Sequence, residues 1–247
     1  MPAPSLNTVN SLENIDVVIL AGGLGTRVSS ILKDTPKVLA PIDGRPYLEH
    51  LIDRLTGFGA RRILLLIGHL ADAVKTHVET NPRPDCEIIS IIEPQPMGTA
   101  GALRLARDHF KSNPVMVMNG DSFVDANLCD FLNNHIASEA EGSLLCTKVD
   151  DAGRYGRIDC DEDGRIIRFV EKDPDFHGEG LVNAGIYLFN TAMLDYIALS
   201  FGASLEHDIF EKLPERHLNT YAGTFTFIDI GTPESLALAP EVFRRIS

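Results

Sequence analysis

Ile15-Asp-Val-Val-Ile-Leu20 runs directly into Ala21-Gly-Gly-Leu-Gly-Thr-Arg27, and the reading of this junction decides the fold. The first six residues are a short apolar run rich in β-branched side chains, the pattern of a buried strand. The glycines that follow, Gly22, Gly23 and Gly25, permit a tight turn and a close approach of backbone N–H groups to a ligand. A nest of amides at the carboxyl end of a central strand binds anions, phosphates above all. Arg27 adds a fork of donors suited to phosphate oxygens, and Pro36-Lys37 brings a second cation on another loop. Two other glycine loops are excluded by spacing. A dinucleotide turn needs G-x-G-x-x-G, yet Val28 stands where the third glycine belongs, and no lysine follows the glycines as a P-loop requires.

Working outward, apolar β-rich runs recur at 15–20, 62–67, 87–92 and 114–118, with helical stretches at 46–57, 70–79 and 99–110. Strands joined by crossover helices predict an α/β, Rossmann-like fold: a mostly parallel sheet with helices on both faces. Ligands of such sheets bind beyond the carboxyl ends of the strands, at a topological switch point. The glycine loop ends the first strand and Asn119-Gly-Asp121 ends the fourth, so both are expected to open onto one crevice. Past residue 140 the pattern changes. Runs at 142–149, 155–160 and 165–171, with a turn at Asp161-Glu-Asp-Gly164, read as antiparallel strands. Leu181–Phe189 is a further strand, and 191–198, 205–213 and 233–245 read as helices. The expected organisation is a frayed extension over 1–13 and one domain over 14–247. Within that domain a binding half extends to about 140, a smaller mixed lid covers about 141–228, and a C-terminal helix spans 233–245.

A net charge of −13 argues against nucleic acid or an anionic membrane surface as a partner. It also requires a phosphate site to be locally basic against the global field. No apolar run approaches the ~20 residues that span a bilayer, and Met1 to Leu12 lack the basic start and apolar core of a signal peptide. Cys86, Cys129, Cys146 and Cys160 show no metal spacing and read as reduced thiols of a cytoplasmic enzyme.

The G-G-x-G-T-R and P-K pair recurs here with Gly98-Thr-Ala-Gly101, Asn119-Gly-Asp121, Phe169-Val-Glu-Lys172, Asn183-Ala-Gly185 and Asp229-Ile-Gly231. Together, in this order from Ile15 to about Phe243, these segments resemble the signature of the sugar-1-phosphate nucleotidylyltransferases. The resemblance implies a GT-A-like nucleotidyltransferase fold whose second half is a sugar-binding lid. It further implies transfer of a nucleotidyl group from a nucleoside triphosphate to a sugar 1-phosphate, with pyrophosphate leaving and Mg2+ assisting. Arg27, Lys37 and Lys172 would be the catalytic cations. Leu20, Ala21, Gly22, Gly23, Gly25, Thr26, Glu93, Gly98 and Thr99 would hold the nucleotide, and Gly120, Glu171 and Asn183 the sugar. Asp121 and Asp229 each follow an apolar strand and suit a magnesium ion, which takes one or two carboxylates plus substrate phosphates. Only the resemblance pairs them, since over a hundred residues separate them.

Within the family, Pro36-Lys37-Val-Leu-Ala-Pro41, Glu93-Pro-Gln-Pro-Met-Gly-Thr99 and Arg154-Tyr-Gly156 most resemble the guanylyltransferases acting on D-glycero-α-D-manno-heptose 1-phosphate. Mannose-1-phosphate guanylyltransferases and N-acetylmuramate-1-phosphate uridylyltransferases are close alternatives. Glu93 favours guanine, whose adjacent N1–H and N2–H donors one carboxylate can accept. A non-catalytic sensor of nucleotide sugars is an alternative of another class, and a homo-oligomer is left open. His50, His69 and His77 have no ligand spacing, and Ser204-Leu-Glu-His-Asp208 stands out without a mechanism attached to it.

Overall fold

The structure is a computed structural model that describes residues 8–170, 172, 175–215 and 217–246. A nine-stranded sheet carries the fold. Its parallel half sets Val115–Asn119, Asp16–Ala21, Arg62–Ile67 and Glu87–Ile92 side by side in that order. The chain leaves Asp16–Ala21 in one direction for Arg62–Ile67 and later returns to its opposite side as Val115–Asn119. The switch point therefore lies between the glycine loop and Asn119-Gly-Asp121, as the sequence reading expects.

Burial on both faces explains the apolar runs. Val17 and Ile19 point into one core layer with Leu51, Ile63, Leu65, Met116 and Phe131. Val18 points into the other with Leu64, Leu66, Leu103, Val117, Phe189 and Ile197. Period-two alternation between two covered faces leaves no solvent side for polar residues, so these strands read as continuous hydrophobic stretches. Helices Tyr47–Gly57, Ala71–Thr80 and Gly98–Ala106 fall where the periodicity places them.

The second half is continuous with the first. Gly180–Phe189 pairs antiparallel with Val115–Asn119 through its last residues, and with Gly142–Val149 along its length. Arg157–Cys160 and Ile166–Val170 pair antiparallel at one margin, and Leu218–Gly223 adds a parallel strand beside Gly142–Val149. The lid strands are thus extensions of one sheet.

The expected frayed extension is corrected in part. Leu12 is fully buried and its N–H reaches Phe58 O at 2.8 Å, while Val9 exchanges hydrogen bonds with the Asn133 side chain. An apolar residue that fills a gap in the core anchors the segment from residue 8 onward, and residues 1–7 lie outside the described residues. A second correction concerns 205–213, read as one helix. Leu205–Ile209 is a wide single π-turn followed by the 3-10 turn Phe210–Lys212. Asp208 bends back to accept the N–H groups of Ala203 and Ser204, at 2.8 and 3.0 Å, in place of continuing a regular helix.

The last helix, Pro233–Ile246, returns the chain to the crevice side. Thr232 caps it, exchanging hydrogen bonds with Ser235, and Phe243 packs on Tyr47 and Phe123 with ring centroids 5.9 and 4.5 Å apart. No helix among the described residues is long and apolar enough to cross a membrane.

Candidate active site

At the switch point two strand ends touch. The Gly120 N–H donates to Leu20 O at 2.8 Å, and a β-carbon on Gly120 would stand 2.7 Å from that same oxygen. Only glycine allows the contact. Across the cleft Glu93, buried just beyond Glu87–Ile92, accepts the Met97 N–H on Oε2 at 3.0 Å, and its Oε1 lies against Gly22. A β-carbon there would sit 1.9 Å from that oxygen. The glycine loop is therefore shaped around the Glu93 carboxylate.

A cavity of about 350 Å³ opens over these loops. Its walls include Leu20, Ala21, Gly22, Gly23, Glu93, Gly98, Thr99 and Gly120, together with Lys37 and Asp121. Gly25 and Thr26 do not line it. They form the turn into the short helix Ser29–Leu32: Gly25 O accepts Val28 N–H at 3.0 Å and Thr26 O accepts the Ser29 hydroxyl at 2.7 Å. Thr99 also spends its hydroxyl oxygen on Leu205 N–H, at 2.8 Å.

Asp121 and Asp229, far apart in sequence, are joined by a two-stranded ribbon absent from the sequence reading. Ser122–Val124 pairs antiparallel with Phe227–Asp229, setting Asp229 opposite Ser122, and Ile230 N–H donates to Asp121 O at 2.9 Å. Lys37 donates its ammonium hydrogen to Asp121. Burial pushes the Asp121 carboxyl up, but Lys37 beside it holds it below the usual carboxylate range. Asp229 moves the other way. Its burial raises it and the Asp121 charge adds to the effect, against the Gly231 N–H that donates to its Oδ1 at 2.5 Å. Two crowded carboxylates, one held ionised by a lysine, are an oxygen donor set that a divalent cation fits.

Beyond this pair lie two further cavities. One, of about 210 Å³, is lined by Asn119, Tyr155, Gly156, Phe169, Lys172, Asn183, Ser204, Glu206, His207 and Asp229 among others. The other, of about 390 Å³, holds Arg27, Arg154, Lys172, His177 and Asp229. Asn119 faces both the first and second cavities, and Lys172 and Asp229 face both the second and third. Arg27 lies against Gly231, where a β-carbon would come within 3.3 Å of its Nη2. The sequence-predicted residues are thus distributed over three connected spaces. Gly120 lies in the first cavity, apart from Asn183 in the second, and Glu171 lies outside the described residues.

Sequence reasoning missed Tyr187, Ser204 and Glu206. Asn183 Nδ2 donates to Tyr187 OH at 2.9 Å, and the Tyr187 and Ser204 hydroxyls donate to Glu206 at 3.4 and 3.0 Å. Tyr187 reads as strand filler within Gly-Ile-Tyr-Leu-Phe189, and the Ser204–Asp208 segment stood out without a partner to explain it.

A crevice at the switch point of a mostly parallel sheet, carrying two adjoining carboxylates and cations on several loops, belongs to the α/β enzymes that handle phosphates. Residues 16–243 match the Nucleotidyl transferase family, and the chain belongs to that family. It is 34% identical over 220 residues, 89% of this chain and 96% of the relative, to D-glycero-alpha-D-manno-heptose 1-phosphate guanylyltransferase of Campylobacter jejuni. It is 32% identical over 222 residues to the mannose-1-phosphate guanylyltransferase catalytic subunit beta of Drosophila melanogaster, covering 88% of this chain and 59% of the relative. A crystal structure of HddC from Yersinia pseudotuberculosis complexed with GMP-PN superposes with a TM-score of 0.81 at 32% identity, covering 93% of this chain and 99% of that one.

Proposed function

We propose that this chain makes a GDP-sugar from GTP and a sugar 1-phosphate, with D-glycero-α-D-manno-heptose 1-phosphate as the favoured acceptor and mannose 1-phosphate as the alternative. One observation carries the reading: the ribbon that seats Asp229 beside Asp121 joins the glycine-loop cavity to the cavity of Lys172 and Asn183. The similarity to heptose and mannose guanylyltransferases, and to a structure complexed with GMP-PN, supports guanine and a manno-configured sugar.

In this reading the first cavity holds the nucleoside, with Glu93 against the base and the backbone of Leu20–Gly23 against ribose and phosphates. Lys172 takes the phosphate of the sugar, and Arg27 takes the pyrophosphate end of the triphosphate. A sugar phosphate oxygen forms the new bond to the α-phosphorus as the bond to pyrophosphate breaks, in line, with no covalent enzyme intermediate. Asp121 and Asp229 would hold Mg2+, which neutralises phosphate charge when bound. Lys37 keeps Asp121 ionised and adds positive charge beside the reacting phosphate. The reaction is placed in the cytoplasm, where nucleoside triphosphates are available.

Nucleotide choice tests the reading. With mannose 1-phosphate and magnesium, wild type is expected to prefer GTP over UTP by roughly 10²-fold in kcat/KM, because a base that cannot satisfy the buried Glu93 carboxylate leaves it short of a donor. Glu93→Gln is expected to narrow that preference by roughly tenfold, since its amide offers a donor where the carboxylate accepts. A wild type that prefers UTP, or an unchanged preference in the variant, contradicts the assignment of Glu93.

A further inference from the structure

We propose that Glu206 is a specificity-determining residue. It accepts hydrogen bonds from the ring and side-chain hydroxyls of a neutral sugar 1-phosphate and rejects sugar phosphates that carry a carboxylate. This rests on the reading above for the identity of the reaction, and on separate geometry for the residue.

The geometry begins with the hydroxyl hydrogens. Tyr187 OH accepts from Asn183 Nδ2 at 2.9 Å, so its one hydrogen is free to point at Glu206 Oε1, 3.4 Å away. Burial pushes the Tyr187 phenol well up, so it remains a donor. Ser204 Oγ accepts the His207 N–H at 3.2 Å and turns its own hydrogen to Glu206 Oε2 at 3.0 Å. Each carboxylate oxygen is thereby oriented by one protein donor and keeps a lone pair for a further one. Asn183, the amide that the family resemblance assigns to the sugar, has both ends engaged within the protein: Oδ1 takes Gly185 N–H at 2.9 Å and Nδ2 serves Tyr187. Glu206 thus faces the second cavity as a carboxylate held in a fixed orientation, distinct from the Asp121–Asp229 pair that the reading above gives to the metal.

The loop that carries it is preorganised from several sides. Leu205 N–H is held by Thr99 Oγ1 at 2.8 Å, Ala203 O accepts Ala100 N–H at 2.9 Å, and Arg104 Nη2 donates to Gly202 O at 2.7 Å. A fixed, acceptor-only, negatively charged group distinguishes ligands by chemistry. Sugar hydroxyls donate to it, whereas a ligand carboxylate beside it meets like charge, Lys172 of the same cavity being taken up by the sugar's own phosphate. Phe169, Tyr155 and Phe227 line the same cavity and give the C–H faces of a sugar ring flat apolar walls. The class selected is a polyhydroxylated neutral sugar 1-phosphate. This class admits the heptose and mannose phosphates and excludes N-acetylmuramate 1-phosphate.

The test compares wild type, Glu206→Gln and Glu206→Asp on mannose 1-phosphate and glucuronic acid 1-phosphate, by kinetics and by titration calorimetry with a non-hydrolysable GTP analogue present. Wild type is expected to favour the neutral sugar by roughly 10²-fold, and Glu206→Gln to raise the mannose 1-phosphate KM by roughly tenfold and shrink the preference by a similar factor. The GTP KM is expected to stay within about twofold, which a general loosening of the loop would not spare. Glu206→Asp keeps the charge and is expected to retain the rejection of the carboxylate while binding mannose 1-phosphate more weakly. If wild type binds mannose 1-phosphate in a Glu206-dependent way but releases no pyrophosphate, the transferase reading fails and the assignment of Glu206 stands. Equal sugar affinities in wild type and Glu206→Gln, or an effect confined to GTP, overturn it.

Discussion

Asp121→Asn is expected to lower kcat by roughly 10²-fold or more while the protein remains folded. The reason lies in what the substitution keeps. An asparagine Oδ1 still accepts the Lys37 ammonium hydrogen, the Gly120 N–H still reaches Leu20 O, and the main chain of residue 121 still accepts Ile230 N–H. The local architecture has no cause to collapse. What disappears is one of the two anionic oxygen groups that would hold a divalent cation, leaving Asp229 alone. Asp229 loses its like-charged neighbour and should ionise more readily, which cannot restore a second ligand. Thermal unfolding and steady-state kinetics at several magnesium concentrations check this together. A folded variant with near wild-type kcat at ordinary magnesium would remove Asp121 from the metal-holding role.

Lys37→Met is expected to do comparable damage by a different route, about 10²-fold in kcat/KM, since a charge-assisted contact of about 1.5–3 kcal/mol is lost where phosphate charge collects. It should also shift the pH dependence, and the sign follows from the carboxylates. In the native protein burial works to raise the Asp121 carboxyl and Lys37 overrides it, keeping Asp121 ionised well into the acid range. Without the lysine, burial and the nearby Asp229 both favour the protonated form, so the folded-state pKa of Asp121 rises. Activity that requires the carboxylate is then lost at a higher pH as the solution is acidified. The acid limb of the kcat profile should move upward in Lys37→Met, and the melting temperature should fall at neutral pH, where two crowded carboxylates lack their cation. An unmoved acid limb with a folded variant would mean that the pair does not govern the ionisation of Asp121.

The parallel half of the fold was legible because its strands are buried on both faces. Continuous runs such as Arg62–Ile67 are too short for a buried helix, and glycine punctuation at 22–25 marks the end of the first strand. The helix Leu128–Ser138 was not legible. Its Asn, Asp, Cys, Phe, His and Ser residues are weak helix formers. The helix is made by the Asn127 cap on the N–H groups of Cys129 and Asp130 and by burial of Leu128, Phe131 and Leu132. Leu218–Gly223 was missed for a related reason: Asn219 and Thr220 are polar residues buried in the sheet, where hydrogen bonds to Asn134 and Gly164 satisfy them. At the site, strand-end residues such as Asp121 announced themselves. The pairing of Asp229 with Asp121 did not, because it depends on a ribbon of three residues per strand. Glu206 depends on the Tyr187 hydroxyl, which only the folded chain brings to it, beside the local hydroxyl of Ser204.

The cavities on either side of Asp121 and Asp229 are proposed to serve two halves of one reaction. Incubation of wild type with GTP, magnesium and either D-glycero-α-D-manno-heptose 1-phosphate or mannose 1-phosphate, followed by phosphorus NMR, decides the matter. The GTP signals are expected to give way to a GDP-sugar and one equivalent of pyrophosphate, only when a sugar phosphate is present. Formation of GDP and inorganic phosphate, or unchanged GTP with every sugar phosphate supplied, would contradict it.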